Sequence, residues 1–344
     1  MAAVRWGLLS TAAIGRVVVD ATSGSDRARF VAVASRDLPK AQKFADECGL
    51  ELAFGSYDEL LASPEIDAVY VALPVSMHTE WTIKALAAGK HVLTEKPFAT
   101  TADDALRCFD AASAAGVRCV EGLMYRHHPQ TLLARKLVAD GAIGRLTTVR
   151  AALSVSVGTD DIRRSGALGG GALLDLGCYC VSAIRLFAGT PERVYAEQVI
   201  DTAGDGVDLR LAATLRMPGD VLAQFDIGLD LPRRDELELI GTAGKIVVGD
   251  PWICREQRVE LTRDGITERL AIDPDGTYRL TGDEADVYRI ELETVSAYLT
   301  GDQDLPFGKS DAVAQAQTLE QIHQSANSGL PTEYPLWSGG AGRE

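Results

Sequence analysis

The sequence predicts two domains: a doubly wound α/β half over residues 1–125, then an α+β half over residues 126–337 built on a mostly antiparallel sheet. Three observations carry this. At 344 residues the chain is too long for one small core, since domains run to roughly 100–200 residues each. Apolar runs alternate with helix-period segments up to Tyr125. Beyond that point strand-like runs follow one another with turn signals between them.

In the first half the runs VRWGLLS, FVAVASR, AVYVALP, HVLTEKP and VRCVEGLMY are separated by KAQKFADECG, SYDELLAS, HTEWTIKALAAG and TADDALRCFDAASAAG. A parallel sheet covered on both faces needs near-continuous apolar strands, and each crossover helix must bury one stripe. A helix over 128–140 leads into TTVRAALSVSV, and a second lies in GGGALLDLGCYCVSAIRLFAG. The strand-like runs VYAEQVI, LRLAATLRM, VLAQFDIGLDL, ELELIGTAGKIVVG, RVELTRDG and ITERLAI come next. Pro218-Gly219 and Asp264-Gly265 mark reversals between them. Helices over 286–300 and 311–328 close the domain, and residues 338–344 are expected to form a loose tail.

The net charge of −15 opposes a polyanionic partner, because nucleic-acid affinity needs clustered Lys and Arg to release counterions. No apolar run approaches the roughly 20 residues that span a bilayer, and the opening lacks a signal-peptide pattern. A cytoplasmic protein is expected. The six cysteines, Cys48, Cys108, Cys119, Cys178, Cys180 and Cys254, show no metal or redox spacing and read as buried thiols. No carboxylate and His cluster has ligand spacing, so no metal is expected.

The first strand ends where a dinucleotide-binding unit places GxGxxG, whose glycines permit a tight turn, backbone approach to pyrophosphate and helix packing. Ser10, Ala12 and Gly15 fall on the three positions, so only the last glycine is kept. Backbone N–H groups over Ser10, Thr11, Ala12, Ala13 and Ile14 still offer a phosphate cradle at a helix start, with hydroxyls from Ser10 and Thr11. After the second strand, the acid that would bond a ribose hydroxyl is replaced by Ser35 and Arg36. A small donor and a guanidinium suit a 2′-phosphate, and Lys40 can add a cation. The expected cofactor is NADP(H). Asp37 could instead neutralise Arg36.

HVLTEKPFATT, with Glu95-Lys96-Pro97 closing a strand, resembles the glucose-fructose oxidoreductase and inositol dehydrogenase family. The likeness extends through the altered first turn, SR at Ser35-Arg36, DAVYVALPVSMH, MYRHHP at Met124 to Pro129, and GGGALLDLGCY at Gly169 to Tyr179. It implies an N-terminal Rossmann domain, an open antiparallel sheet in the second half, and a nicotinamide-dependent oxidoreductase acting on sugars and polyols. By the same likeness Leu73, Pro74, His78, Glu95, Arg163 and Tyr288 lie near cofactor, and Asp175 and Tyr179 beside the nicotinamide. Tyr179 stands where the inositol dehydrogenase side usually has His, so the chain is similar to the branch of xylose and dihydrodiol dehydrogenases. Val75 replaces a common Asn.

Lys96 ends a parallel strand, on the edge where doubly wound sheets place ligands. Asp175 and Tyr179 are four apart, so a helix sets them on one face. Read from the residues alone, the favoured reading is structural: Tyr179 a half-buried helix aromatic and Asp175 a polar-face carboxylate. Proton transfer must accompany the hydride, and Tyr179 is the candidate relay, its pKa expected to fall beside the Lys96 ammonium. Lys96 would stabilise developing negative charge, and Asp175 would orient a sugar hydroxyl or the pair. Whether Lys96 or Tyr179 donates the proton stays open. Arg126, His127 and Arg163 are further substrate-side candidates, while His127 and His128 read equally as packing or capping residues. Arg233, Arg234 and Asp250 to Trp252 could line an interface or the pocket mouth. The substrate is expected to be a small sugar or polyol, and the assembly a homodimer or homotetramer. Alternatives are a nucleotide-linked ketosugar reductase, a trans-dihydrodiol dehydrogenase, or a catalytically silent NADP(H)-binding sensor.

Overall fold

The computed structural model describes residues 3–334. Six parallel strands form the first sheet: β1 (Val4–Leu9), β2 (Ala28–Ala34), β3 (Leu52–Phe54), β4 (Ala68–Val71), β5 (His91–Glu95) and β6 (Cys119–Gly122), in spatial order β3-β2-β1-β4-β5-β6. Helices α1 (Ala13–Ala21), α2 (Leu38–Cys48), α3 (Tyr57–Ala62), α4 (His78–Ala87) and α5 (Ala102–Ala115) alternate with them. The order reverses at β1 and β4, which opens a crevice beyond their carboxyl ends. Each strand is apolar because both its faces are covered: Leu8, Leu9, Val69, Tyr70 and Leu93 are inaccessible to solvent. The three-residue edge strand β3 is too short to show a period, so the sequence pattern does not reveal it.

The second sheet has nine strands: β7 (Leu146–Ser156), β8 (Arg193–Ile200), β9 (Asp208–Arg216), β10 (Leu222–Gly228), β11 (Asp230–Gly241), β12 (Lys245–Gly249), β13 (Arg258–Arg263), β14 (Ile266–Leu270) and β15 (Thr332–Glu333). All neighbours pair antiparallel except β10 and β7. Alternation of buried and exposed residues along β8, β9 and β10 leaves one face wet and presses the other onto helices. Helices α6 (Pro129–Ala139) and α7 (Cys178–Ala188) follow β6 and the turn that precedes α7, and α8 (Glu284–Leu299) and α9 (Lys309–Ser328) come last.

Packing crosses the expected boundary at Tyr125. Helix α8 lies on α1, with Trp6 Nε1 donating to Ser296 Oγ at 3.1 Å and Ser25 Oγ to Glu293 at 2.8 Å. Helix α9 packs on α5 and on β8. The two sheets are therefore locked by helices from the end of the chain. The segment Gly166–Ala188 does have the length and apolarity to cross a membrane, contrary to the expectation from sequence, but 67% of its most apolar 18-residue window is buried and its α7 part is a core helix. The expected loose tail, 338–344, lies outside the described residues.

Candidate active site

The turn after β1 shows how a phosphate loop works with one glycine. Gly15 is required for packing: a Cβ there would stand 2.5 Å from Leu8 Cδ2 and 3.1 Å from Phe44 Cζ. Ser10, in the first glycine slot, adopts φ 103°, a region that L residues rarely enter and that marks functional loops. Its Oγ accepts from Ala12 N at 3.1 Å. Helix α1 begins after Ala12 with no side-chain cap and no acidic residue in its first turn. The N–H groups at its start and the positive end of its dipole are left for an anion, which fits a pyrophosphate.

At the end of β2, Ser35 is buried, and its Oγ accepts from Asp37 N at 3.3 Å. Asp37 is the cap of α2, accepting from Lys40 N at 3.2 Å, and its other oxygen lies 3.9 Å from Lys40 Nζ. Asp37 thus engages Lys40. Among the described residues no carboxylate pairs with Arg36, which is exposed. Burial raises the pKa of Tyr57, and Arg36 beside it opposes that rise. An exposed guanidinium with no acid partner fits a phosphate on the adenosine ribose.

Lys96 and Asp175, 79 residues apart, meet across the crevice. Lys96 Nζ donates to the Asp175 carbonyl and to Asp175 Oδ1, both at 2.8 Å. Burial opposes the ammonium, yet the Asp175 carboxylate more than offsets it and holds the lysine above its ordinary pKa. Asp175 sits in a π-helical turn, Leu173–Gly177, that runs into α7. Such turns concentrate at functional sites. Gly177 allows that turn to approach β10, since a Cβ would meet Leu173 and Ile227 at 2.9 and 3.0 Å. Arg163 Nη1 lies 3.8 Å from Asp175 Oδ2 and is held by Asp161 through two bonds of 2.8 Å. The Lys96–Pro97 peptide is cis.

Tyr179 opens α7, with Lys96 Nζ 4.9 Å from its ring centre. Its hydroxyl donates to Met124 Sδ at 3.6 Å. The expected fall in its pKa is not found. Burial raises it well above the ordinary value, and the nearby acids Glu95, Cys178, Asp175 and Glu291 push the same way. The ammonium sits over the ring face and interacts as a cation–π pair. Tyr125 and Trp252 flank the ring, centres 6.2 and 5.9 Å away. Trp252 is buried and donates to Ala152 O at 3.1 Å, so it backs the site from the core and does not line a mouth or interface.

Several expected contacts are engaged elsewhere. Arg126 is 3% exposed and donates to Asp311 Oδ2 at 2.6 Å and Ser182 Oγ at 2.8 Å. A guanidinium buried this deeply needs its carboxylate within the protein, so it joins α9 to the core and does not meet substrate. His127 packs edge-on against Phe307, and burial with Arg126 nearby pushes its pKa down to about 3. It too faces the core and not a substrate. His128 caps α6 by accepting from Gln130 N at 3.2 Å. His78 is 1% exposed, its ring nitrogens 2.9 Å from Pro97 O and 2.8 Å from Leu73 O. It ties the loop after β4 to the turn after Lys96 and has no nitrogen left for a cofactor. Glu95 is likewise turned inward, accepting from the Tyr70 hydroxyl and from Lys96 N. Leu73 is buried and Pro74 half-buried at the crevice wall. Tyr288, on α8, is buried near Tyr70, where it adds to the rise that burial and two glutamates cause in that phenol's pKa. Arg233 pairs with Asp235, and Arg234 with Asp226 and Glu236.

A doubly wound sheet with a phosphate-ready turn, and a lysine–aspartate pair facing it from two domains, define a nicotinamide-binding oxidoreductase fold. Residues 4–123 match the oxidoreductase family with NAD-binding Rossmann fold, and residues 131–247 match the GFO/IDH/MocA C-terminal domain. The chain belongs to that oxidoreductase family. It is 35% identical to D-xylose 1-dehydrogenase (NADP(+)) 2 of Haloferax volcanii, over 95% of this chain and 99% of that one. It is 33% identical to the dTDP-3,4-didehydro-2,6-dideoxy-alpha-D-glucose 3-reductase of Streptomyces violaceoruber, over 94% and 96%. Among solved structures, a 3-ketoreductase from Actinomadura kijaniata in complex with NADP and TDP-benzene superposes with a TM-score of 0.84 at 28% identity, covering 94% of this chain and 98% of that one.

Proposed function

We propose that this chain transfers a hydride between NADP(H) and a carbon of a sugar or polyol. The observation that carries the reading is the Lys96–Asp175 pair standing against Tyr179 at the carboxyl edge of the first sheet. The bound nicotinamide supplies or accepts the hydride. The α1 start and Ser10 hold the pyrophosphate, and Ser35 and Arg36 the 2′-phosphate.

An ammonium has three N–H donors. Asp175 takes two of Lys96's, which aims the third at the substrate oxygen. In reduction this N–H and the Tyr179 hydroxyl meet the oxygen as negative charge grows on it, within a site from which water is largely excluded. Both groups stay protonated at neutral pH, so they serve as donors during carbonyl reduction, and alcohol oxidation must give its proton to solvent through them. Arg163, tethered by Asp161, closes the other side of Asp175.

The enzyme works in the cytoplasm, where thiols stay reduced; its six cysteines are all unpaired. It assembles as a homodimer or homotetramer through the open face of the second sheet, where Tyr195 and Leu222 are exposed. Incubation with pentoses, hexoses, ketosugars and aromatic diols, each with NADP(H) and NAD(H), tests the reading. Turnover of a sugar or polyol is expected. A protein that enhances NADPH fluorescence but changes no cofactor absorbance with any substrate is a sensor, and refutes it.

A further inference from the structure

We propose that Asp208 is a positioning residue: its carboxylate anchors the turn that carries Asp175 and so sets the aim of Lys96. The proposal rests on the hydride-transfer reading above.

Asp208 is the first residue of β9, and nothing in the sequence pattern singles it out. Its Oδ2 accepts from Leu173 N at 2.7 Å, the short distance of a charge-assisted bond. Oδ1 lies against Gly171, so closely that a Cβ at 171 would stand 2.2 Å from it. Gly171 adopts φ 117°, open to glycine alone. The missing side chain at 171 is therefore the space that the carboxylate occupies. Leu173 opens the π-helical turn, and Asp175 N donates to Gly171 O at 3.1 Å. Asp208 thus grips both the first N–H of the turn and the glycine on which Asp175 hangs. Asp175 in turn engages two N–H groups of Lys96. A negative charge also suits this place electrostatically, since the turn runs into α7 and the N-terminal end of a helix favours an anion.

The surrounding charges are engaged with one another. Arg164 pairs with Asp201, Arg163 with Asp161 and Asp175, and Arg210 with Asp230, while Asp205 accepts from Ser165. Among the described residues no cation pairs with Asp208. Burial accordingly raises its pKa to about 6, although Leu173 N–H and its own backbone favour the charged form. A carboxyl with a raised pKa stabilises the fold when protonated and costs stability as pH rises through that value. Ionisation of this carboxyl therefore costs stability.

The test compares wild type with Asp208→Asn and Asp208→Ala. Asparagine keeps an acceptor for Leu173 and the shape, without the charge. We expect both variants to bind NADPH within about twofold of wild type, since the Asp208 carboxylate engages Leu173 and Gly171 and not the turn before α1. At pH 8 kcat should fall about 10-fold in Asp208→Asn and about 100-fold in Asp208→Ala, the scale of a reacting group misplaced by about 1 Å. We expect wild-type kcat to fall below about pH 6 and that fall to be absent from Asp208→Asn. At pH 8 the melting temperature of Asp208→Asn should rise, while exchange at the Leu173 amide should speed up in Asp208→Ala. Wild-type kcat with an unchanged acid limb in Asp208→Asn would overturn the proposal, as would a lowered melting temperature in that variant. A wild type that turns over no substrate refutes the functional reading instead; the melting and exchange measurements then still decide whether Asp208 holds the turn.

Discussion

The Lys96 ammonium lies over the Tyr179 ring, 4.9 Å from its centre, and donates to Asp175, while the Tyr179 hydroxyl donates to Met124 Sδ. That geometry decides between two roles for the tyrosine. A cation bonded to the phenol oxygen would favour phenolate and make a base. Here burial and the nearby acids Glu95, Cys178 and Asp175 raise the phenol's pKa, and the lysine does not bond its oxygen. Under the proposed reading Lys96 and Tyr179 therefore both act as proton-bearing donors, and neither is a base.

Removing either donor should therefore cost turnover and spare cofactor binding. Lys96→Met is expected to lower kcat by about 10³-fold, the range for losing a preorganised charged donor. Tyr179→Phe should lower it by about 10²-fold, as one of two donors remains. NADPH titration followed by fluorescence should give Kd values near wild type. Full activity in both variants would refute the assignment.

Because both groups hold their protons, alcohol oxidation should accelerate with pH. The oxidative kcat is expected to rise with a slope of about one logarithmic unit per pH unit between pH 7 and 9. The reductive kcat should stay level over the same range. A plateau in the oxidative profile near pH 7 would mean that a base of ordinary pKa does the work.

Arg36 offers an unopposed guanidinium where NAD-binding chains carry an acid. Arg36→Ala should weaken NADP binding about 10- to 100-fold, the value of a charge-assisted hydrogen bond. NAD affinity should change less than about 3-fold, since that cofactor has no 2′-phosphate. Isothermal titration with both cofactors checks this, and equal losses would show that Arg36 does not read the phosphate.

The His78 ring lies between two carbonyl groups, Leu73 O and Pro97 O, one at each wall of the crevice, and donates to one of them. Burial keeps the ring neutral, with one N–H to donate, so His78→Leu removes one hydrogen bond and should lower stability by about 1–3 kcal/mol. Denaturant titration measures it. An unchanged midpoint would show that the ring is only a space filler.

His127 gives the fold an acid sensitivity. Its folded pKa, about 3, lies below the unfolded value of 6.5, so its contribution is complete above pH 6.5 and is lost as pH falls toward 3. The difference in stability between wild type and His127→Phe should shrink by about 1.4 kcal/mol for each pH unit below 6.5. A constant difference would show that the imidazole is not buried neutral.

Local pattern determined much of this protein. Strand runs, helix stripes and the position of each loop follow from backbone periodicity, and a fixed rule places the crevice beyond the carboxyl ends of β1 and β4. That was enough to select Ser10 and Arg36 from the sequence, whereas Lys96, Asp175 and Tyr179 stood out through the family resemblance of the EKP and GGGALLDLGCY segments. Only the tertiary structure decided which polar groups were already engaged. Arg126, His127, His78 and Glu95 carry chemistry that suits a site, but each is held by a partner from a distant segment. Burial and charge partners set the protonation of Tyr179, and an indole nitrogen at residue 6 finds its acceptor at residue 296. Such pairings depend on distances across the folded core, and residue spacing along the chain carries no record of them.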